Sequence, residues 1–394
     1  MRSRSLDLRT ALKSPEAHAA PPRVCVLFGT TRGDNAQLMI LAQALGWPFE
    51  VKGDVDNVPM TIVDRVARAA GMRLRRNKPL LSSLLWPDLI LITGGRRVID
   101  SERIKAMSEG RSKIVCVGRP WADLDLFDLV VTTPQYRLPE RPNILMNTLP
   151  LNLPSDEALS SAADEWRHEI VHLPKPWITV LVGGNSGSCR FTEDTGRKLA
   201  AKANDLAEAT GGSLLISTSG RTPKAAADAM FATIDAPHVT FRWDKAARRN
   251  PHLGFLALAD RFVITSDSAS MAAEAIASGR PVSIFEVPIR KRSRWMTRPR
   301  DPDSMFERLR RSATIKGLWV PARDMNTFHE NLRARGYVQD SEKVNAPFTP
   351  KTPDDLERAV QAICALFPGI AASTASATTE ESERSQVHGL ALAG

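Results

Sequence analysis

The chain has 394 residues, 43% hydrophobic and 6% aromatic, and 53 basic against 44 acidic side chains give a formal charge of +9. That length accommodates two domains of ordinary size, and the basic excess suits anionic partners: phosphorylated substrates, an acidic lipid surface or nucleic acid. Four scattered cysteines with no CxxC pair argue against a disulfide framework and a zinc site. No apolar run reaches the roughly 18 residues of a spanning helix. The basic N-terminus has no apolar core of the secretory kind. The expected location is therefore cytoplasmic, at most peripheral to a membrane.

Residues 1–21 read as a disordered tail. Arg23–Gly29 (RVCVLFG) is a continuous apolar run, the signature of a strand buried on both faces. The loop TTRGDN follows, then helical spacing over Ala36–Leu45 stopped at Gly46. Phe49–Lys52 is a second strand candidate, and 58–70 again shows helical spacing. Asp88–Gly95, Lys113–Gly118 and Asp128–Thr133 are strands, Asn143–Met146 a further one, and Ile99–Met107 a helix. Leu159–Leu173 reads as a helix, and Pro174-Lys175-Pro176 as a hinge between domains.

The second half repeats the alternation. Trp177–Gly184 is a strand, Glu193–Thr210 a helix, Ser213–Ser219 a strand, 223–234 a helix and Val239–Trp243 a strand. Then comes VITSDSASMAAEAIASGRPVSIFEVP. It reads as a strand (Arg261–Ser266), a polar turn, a helix (Ala269–Ser278) stopped by Gly279 and Pro281, and a strand (Val282–Val287). Residues 289–320 interrupt the pattern with the basic run Arg290–Arg300 (RKRSRWMTRPR), read as a solvated loop, and a short helix at Met305–Arg311. Helices at Thr327–Arg335 and Pro353–Leu366 close the chain before a disordered tail, 369–394. Alternating strands and helices imply parallel sheets covered on both faces. The domains are 22–174 and 175–345, with 346–368 a terminal helix.

Ligands of open parallel sheets sit beyond the carboxyl ends of the strands. In the second half that rule selects Gly183, Gly184 and Asn185; Ser217, Thr218, Ser219 and Arg221; and Ser266, Asp267 and Ser268. In the first half it selects Thr30, Arg32, Gly33 and Asp34, then Gly94, Gly95 and Arg96. Small residues let backbone N–H groups approach a phosphate, and arginine supplies a bidentate fork. The start of the Ala269 helix can hold an anion. No His/Cys/Asp group has metal-ligand spacing, so metal-independent handling of a diphosphate is expected.

Each of these residues also has a plainer reading. Gly183-Gly184 fits a tight turn, Ser217–Ser219 the capping of the next helix, Glu274 a surface face, and Asp34 an N-cap before a general base. His329 fits a surface position. The loop GTTRGDN stands where a dinucleotide fingerprint G-x-G-x-x-G would be needed, and no P-loop, GxSxG elbow or HExxH pair is present.

The segments TTRGDNAQ, PDLILITGGRR, VGRPWADLDLFDLVVTTPQYRLPERPNILMNTLPLN, LVGGNSG, ISTSGRTP and VITSDSASMAAEAIASGRPVSIFE resemble, in matching order from Val24 to Tyr337, the mitochondrial-fission Elm family. The resemblance implies an α/β fold of two Rossmann-like domains facing across a cleft, glycosyltransferase-B-like, with an acceptor side (22–174) and a nucleotide-sugar side (175–345). It implies a nucleotide-diphospho-sugar donor, with Ser266–Ser268 at the diphosphate and Glu274 on the ribose hydroxyls. Two functions follow as expectations: a metal-independent sugar transferase with Asp34 as base, or a non-catalytic scaffold or recruitment protein that kept the fold. Arg290–Arg300 is expected to meet an acidic membrane surface or a protein partner. Nucleic acid ranks last, because Trp295 alone interleaves that run.

Overall fold

The computed structural model describes residues 20–53, 86–94, 97–298, 301, 303–340 and 347–368. The 58–70 segment, Gly95-Arg96 and the tail 369–394 lie outside them, as does all but the end of the 1–21 tail. The described residues form two parallel sheets. The first holds β1 (Val24–Leu27), β2 (Phe49–Lys52), β3 (Leu89–Thr93), β4 (Lys113–Val117), β5 (Leu129–Thr132) and β6 (Ile144–Met146) in the order β2-β1-β3-β4-β5-β6. The second holds β7 (Trp177–Val182), β8 (Ser213–Thr218), β9 (His238–Phe241), β10 (Arg261–Thr265) and β11 (Val282–Phe285) in the order β11-β10-β7-β8-β9.

Period-two side-chain alternation with both faces covered explains why the central strand runs are apolar, while the edge strands β2 and β9 are partly polar and exposed. Val24 and Val26 enter one core with Leu38, Leu41 and Leu45 of α1 (Arg32–Leu45). Cys25 and Leu27, on the opposite face, pack with Val98 and Ile104 of α2 (Arg97–Met107). In the second sheet, Ile178, Val180 and Val182 pack under α4 (Glu193–Thr210) and α5 (Lys224–Phe231). Phe262 and Ile264 pack under α7 (Ala269–Ala277) and α10 (Met325–Ala334).

Two helices do not follow the sequence division at Pro174. α3 (Asp156–Ile170) lies before that boundary yet packs on the second sheet: Trp166 meets Phe255 edge-on at 6.1 Å. Its partner α6 (His252–Leu258) was not expected from sequence. That run, HLGFLAL, is too short and too uniformly apolar to show a period. α11 (Asp355–Cys364) returns to the first lobe, burying Ala359 and Ile363 against α1 and β1. The buried Asp355 carboxylate accepts from Thr148 N at 2.7 Å and Leu149 N at 3.0 Å, pinning that return. Each lobe is therefore Rossmann-like, a parallel sheet with helices on both faces.

The insert also departs from expectation. The basic run carries a helix, α8 (Lys291–Thr297), followed by α9 (Met305–Ile315). It starts beside the Gly183 turn, where Arg290 N donates to Ser188 O at 2.8 Å and Ser293 Oγ to Gly187 O at 3.2 Å. It then reaches the first lobe. Lys316 meets Asp123 at 3.0 Å, Arg119 donates to Pro321 O at 2.7 Å, and Asp324 N donates to Gln135 O at 2.8 Å. The insert therefore spans the two lobes at the carboxyl ends of their strands.

Candidate functional site

Each sheet has one place where the strand order reverses: between β1 and β3, and between β7 and β10. Chains leave such a point in opposite directions and open a crevice beyond the strands. The first crevice carries Thr30, Thr31 and the first turn of α1 with Asp34. The second carries Gly183–Asn185 on one side and Ser266–Ser268 on the other.

Asp267 organises the second crevice. Its side chain is fully buried, and its carboxylate accepts from Gly184 N (3.0 Å) and Thr265 Oγ1 (2.8 Å) and pairs with Arg221 Nη1 (2.8 Å). Thr265 Oγ1 in turn accepts from Gly183 N at 2.7 Å. The two glycines are required by this close approach. A Cβ on Gly183 would lie 2.2 Å from an Asp267 carboxylate oxygen, and one on Gly184 would lie 2.1 Å from Arg221 O. The tight-turn reading of Gly183-Gly184 thus has a specific cause.

The loop after β8 is stitched to the same turn. Ser219 Oγ donates to Gly183 O at 2.8 Å, Thr222 Oγ1 also donates to Gly183 O, and Asn185 N donates to Arg221 O at 3.0 Å. The Asn185 side chain accepts from Phe191 N at 3.0 Å. So Gly183, Gly184, Asn185, Ser219, Arg221 and Asp267 do come together.

The remaining expected residues stand apart from that network. Ser217 is buried at the end of β8, and Thr218 Oγ1 accepts from Trp243 N at 2.8 Å, facing β9. Ser266 Oγ accepts from Val287 N at 2.8 Å, which ties β10 to the chain after β11. Ser268, not Ser266, caps α7, accepting from Met271 N at 3.4 Å. Both hydroxyls act there as acceptors, so each keeps its proton to donate. Glu274 is half-buried and meets His252 Nε2 at 2.9 Å, which corrects its reading as an open surface residue.

In the first lobe, the N-cap of α1 is Thr31, and Asp34 sits inside the first turn rather than capping it. Burial pushes the Asp34 carboxyl above the usual carboxylate range, although Arg323, Thr31 and Arg119 pull it down. Arg97, the residue after Arg96, is buried, pairs with Asp100 at 3.2 Å and donates to Phe28 O.

Sequence reasoning missed Arg323, Arg119 and Tyr136. The Arg323 and Arg119 guanidinium groups lie 6.0 Å and 5.7 Å from the Tyr136 ring. Arg323 acts electrostatically on Asp34 in the first lobe and on Cys189 in the second, and Cys189 also feels Asp267. Arg323 thus lies within electrostatic reach of one residue on each rim. Arg119, two residues past β4, was within reach of the strand-end rule. Arg323 lies in an irregular segment that gives no sequence signal. Among the described residues no group of three or more His, Cys, Asp or Glu could hold a metal ion.

The family model described as mitochondrial fission ELM1 matches residues 32–299, more than half of the chain. The chain belongs to the mitochondrial fission ELM1 family. It is 28% identical over 219 residues to Mitochondrial fission protein ELM1 of Arabidopsis thaliana, covering 50% of this chain and 51% of that one. It is 31% identical over 148 residues to Uncharacterized protein RP120 of Rickettsia prowazekii (strain Madrid E), covering 36% and 42%. The chain thus spans about half the length of these two relatives or less. Among solved structures, the S. aureus MnaA–UDP co-structure is 14% identical with a TM-score of 0.41, covering 89% of this chain and 98% of that one. The UDP-GlcNAc 2-epimerase of Methanocaldococcus jannaschii is 11% identical with a TM-score of 0.44, covering 87% and 99%.

Proposed function

We propose that the junction between the lobes binds a nucleotide-diphospho-sugar and that the sugar is transferred without a metal. The observation that supports this most is Arg323, whose charge acts on Asp34 beside the first strand-order reversal and on Cys189 after β7 beside the second. A diphosphate bound at the second reversal receives the Ser266 and Ser268 hydroxyl protons and the α7 amide end. Arg221, held by Asp267, and Arg323 supply positive charge where the leaving group gains negative charge. Glu274 accepts from the ribose hydroxyls and exchanges its contact with His252 for them. Asp34, from the facing lobe, takes the proton of the acceptor hydroxyl. The acceptor oxygen then bonds to the anomeric carbon as the bond from that carbon to the diphosphate oxygen breaks, with inversion. A base pushed upward by burial remains active only above its raised pKa, so the rate rises with pH through that value.

Calorimetric titration of UDP, GDP and their sugars into the wild type and Glu274→Ala tests this reading. Saturable binding, weakened in the variant, supports it; no heat from any of these ligands with folded wild type ends it. A second reading, a non-catalytic member that kept the fold, draws on one observation: Arg221 and Glu274 already have protein partners. Tight nucleotide binding with no transfer to any acceptor and no effect of Asp34→Asn favours that version.

A further inference from the structure

α9 is built the wrong way round for a helix on a soluble surface. Its inward side is polar: Glu307 pairs with Arg310, both half-buried, and Thr314 is buried. Its outward side is apolar: Met305 is 79% exposed, Phe306 50% and Leu309 61%. Met305 and Phe306 each neighbour Leu309, at i, i+4 and i, i+3, so the three form one patch. The patch does not end at the helix. Trp295 of α8, 62% exposed, and Trp319, beyond α9, line one small cavity together with Phe306, Arg298 and Arg310. Three sequence-distant aromatic side chains therefore gather on one outer face of the insert.

Charge surrounds this face. Residues 290–316 contain ten Lys or Arg and three Asp or Glu, a local net of +7 in a chain of +9. Lys291, Arg292, Arg294, Arg308 and Arg311 are exposed. Water opposes contiguous apolar exposure, and such patches mark interaction sites. The choice of partner follows from the mixture. Aromatic and aliphatic side chains seat at the boundary between headgroups and acyl chains, and a basic rim is attracted to anionic headgroups. None of the described helices is long and apolar enough to cross a membrane, so contact is with one leaflet.

We infer that the outer face of the 289–320 insert docks on an anionic lipid bilayer, with Trp295, Met305, Phe306 and Leu309 entering the interface and the surrounding Lys and Arg contacting headgroups. The insert also spans the two lobes, so docking sets the cleft beside the membrane surface. This inference does not depend on what the cleft binds.

Co-sedimentation of the full chain with vesicles tests it, using phosphatidylcholine alone and phosphatidylcholine mixed with phosphatidylglycerol, at low and high salt. The expected result is binding to the anionic vesicles, weakened by salt, and about ten-fold or more less to the neutral ones. Trp295→Ser/Phe306→Ser/Leu309→Ser should cut the bound fraction about ten-fold. Lys291→Gln/Arg292→Gln/Arg294→Gln should weaken binding and flatten its salt dependence. All six positions are exposed, and circular dichroism of both variants checks that they fold. Absence of binding to anionic vesicles at low salt overturns the inference, as does equal binding by the wild type and both variants. A wild-type dimer that the apolar triple variant makes monomeric, with vesicle binding unchanged, assigns the face to a second copy and also overturns it.

Discussion

The two lobes differ in how the polar groups at their strand ends are used. At the second-lobe rim, Asp267, Thr265, Ser219 and Thr222 are bonded to backbone or to one another, and Arg221 is held by Asp267. At the first-lobe rim, Thr132 Oγ1, Gln135 Oε1 and Asn147 Oδ1 are buried without a hydrogen-bond partner. Thr132 and Asn147 line a cavity of about 20 Å³ at the ends of β4 and β5. A buried polar group left unpaired costs free energy, so these atoms mark where a bound group or water gains most. The contrast teaches that the second rim is a preformed frame, whereas the first rim holds polar capacity in reserve.

Breaking the frame should have the largest effect. Asp267→Ala orphans Gly184 N and leaves Arg221 without its anion, and is expected to lower stability by about 4 kcal/mol in urea unfolding. A loss near that of an ordinary surface substitution would remove Asp267 as organiser. The next effect is expected at His329 of α10, which is buried with neither ring nitrogen hydrogen-bonded although its sequence suggested a surface site. Burial lowers its pKa to about 4, against the opposing pull of Glu286. A folded value below the ordinary one means that the unfolded chain binds the extra proton first. The stability it contributes is present above about pH 6.5 and is lost as pH falls toward 4, by about 3 kcal/mol. His329→Leu should flatten that part of the pH–stability curve, and an unchanged slope would contradict the assignment.

Gly184→Ala places a Cβ against the Arg221 carbonyl and should cost about 2 kcal/mol by the same denaturation. The smallest stability change is expected at the first rim. Asp34→Asn removes a carboxylate already disfavoured by burial and should shift stability by less than about 1 kcal/mol while abolishing transfer. A large stability loss there would erase the contrast between frame and reserve.

The parallel sheets were legible because their strands are apolar on both faces, and Glu193–Thr210 was read to its boundaries because Thr192 caps it and Gly211 stops it. The Gly183, Arg221 and Asp267 sets followed from strand ends alone. That Asp267 faces inward as a brace was not legible, since nothing local separates a bonded carboxylate from a ligand-facing one. His329 was readable in principle: Met325, Phe328, His329 and Leu332 fall at i, i+3, i+4 and i+7, the buried stripe of α10. α8 was hidden because its run of cations has no apolar period, and Arg323 because its position depends on how the insert crosses between lobes.

Hydrogen–deuterium exchange of the full chain with and without a nucleotide diphosphate tests the two-rim site most directly. Slowed exchange is predicted together at 30–36, 183–190, 266–272 and 319–324. Protection confined to one lobe, or falling outside these four segments, would contradict a ligand held between the two reversals.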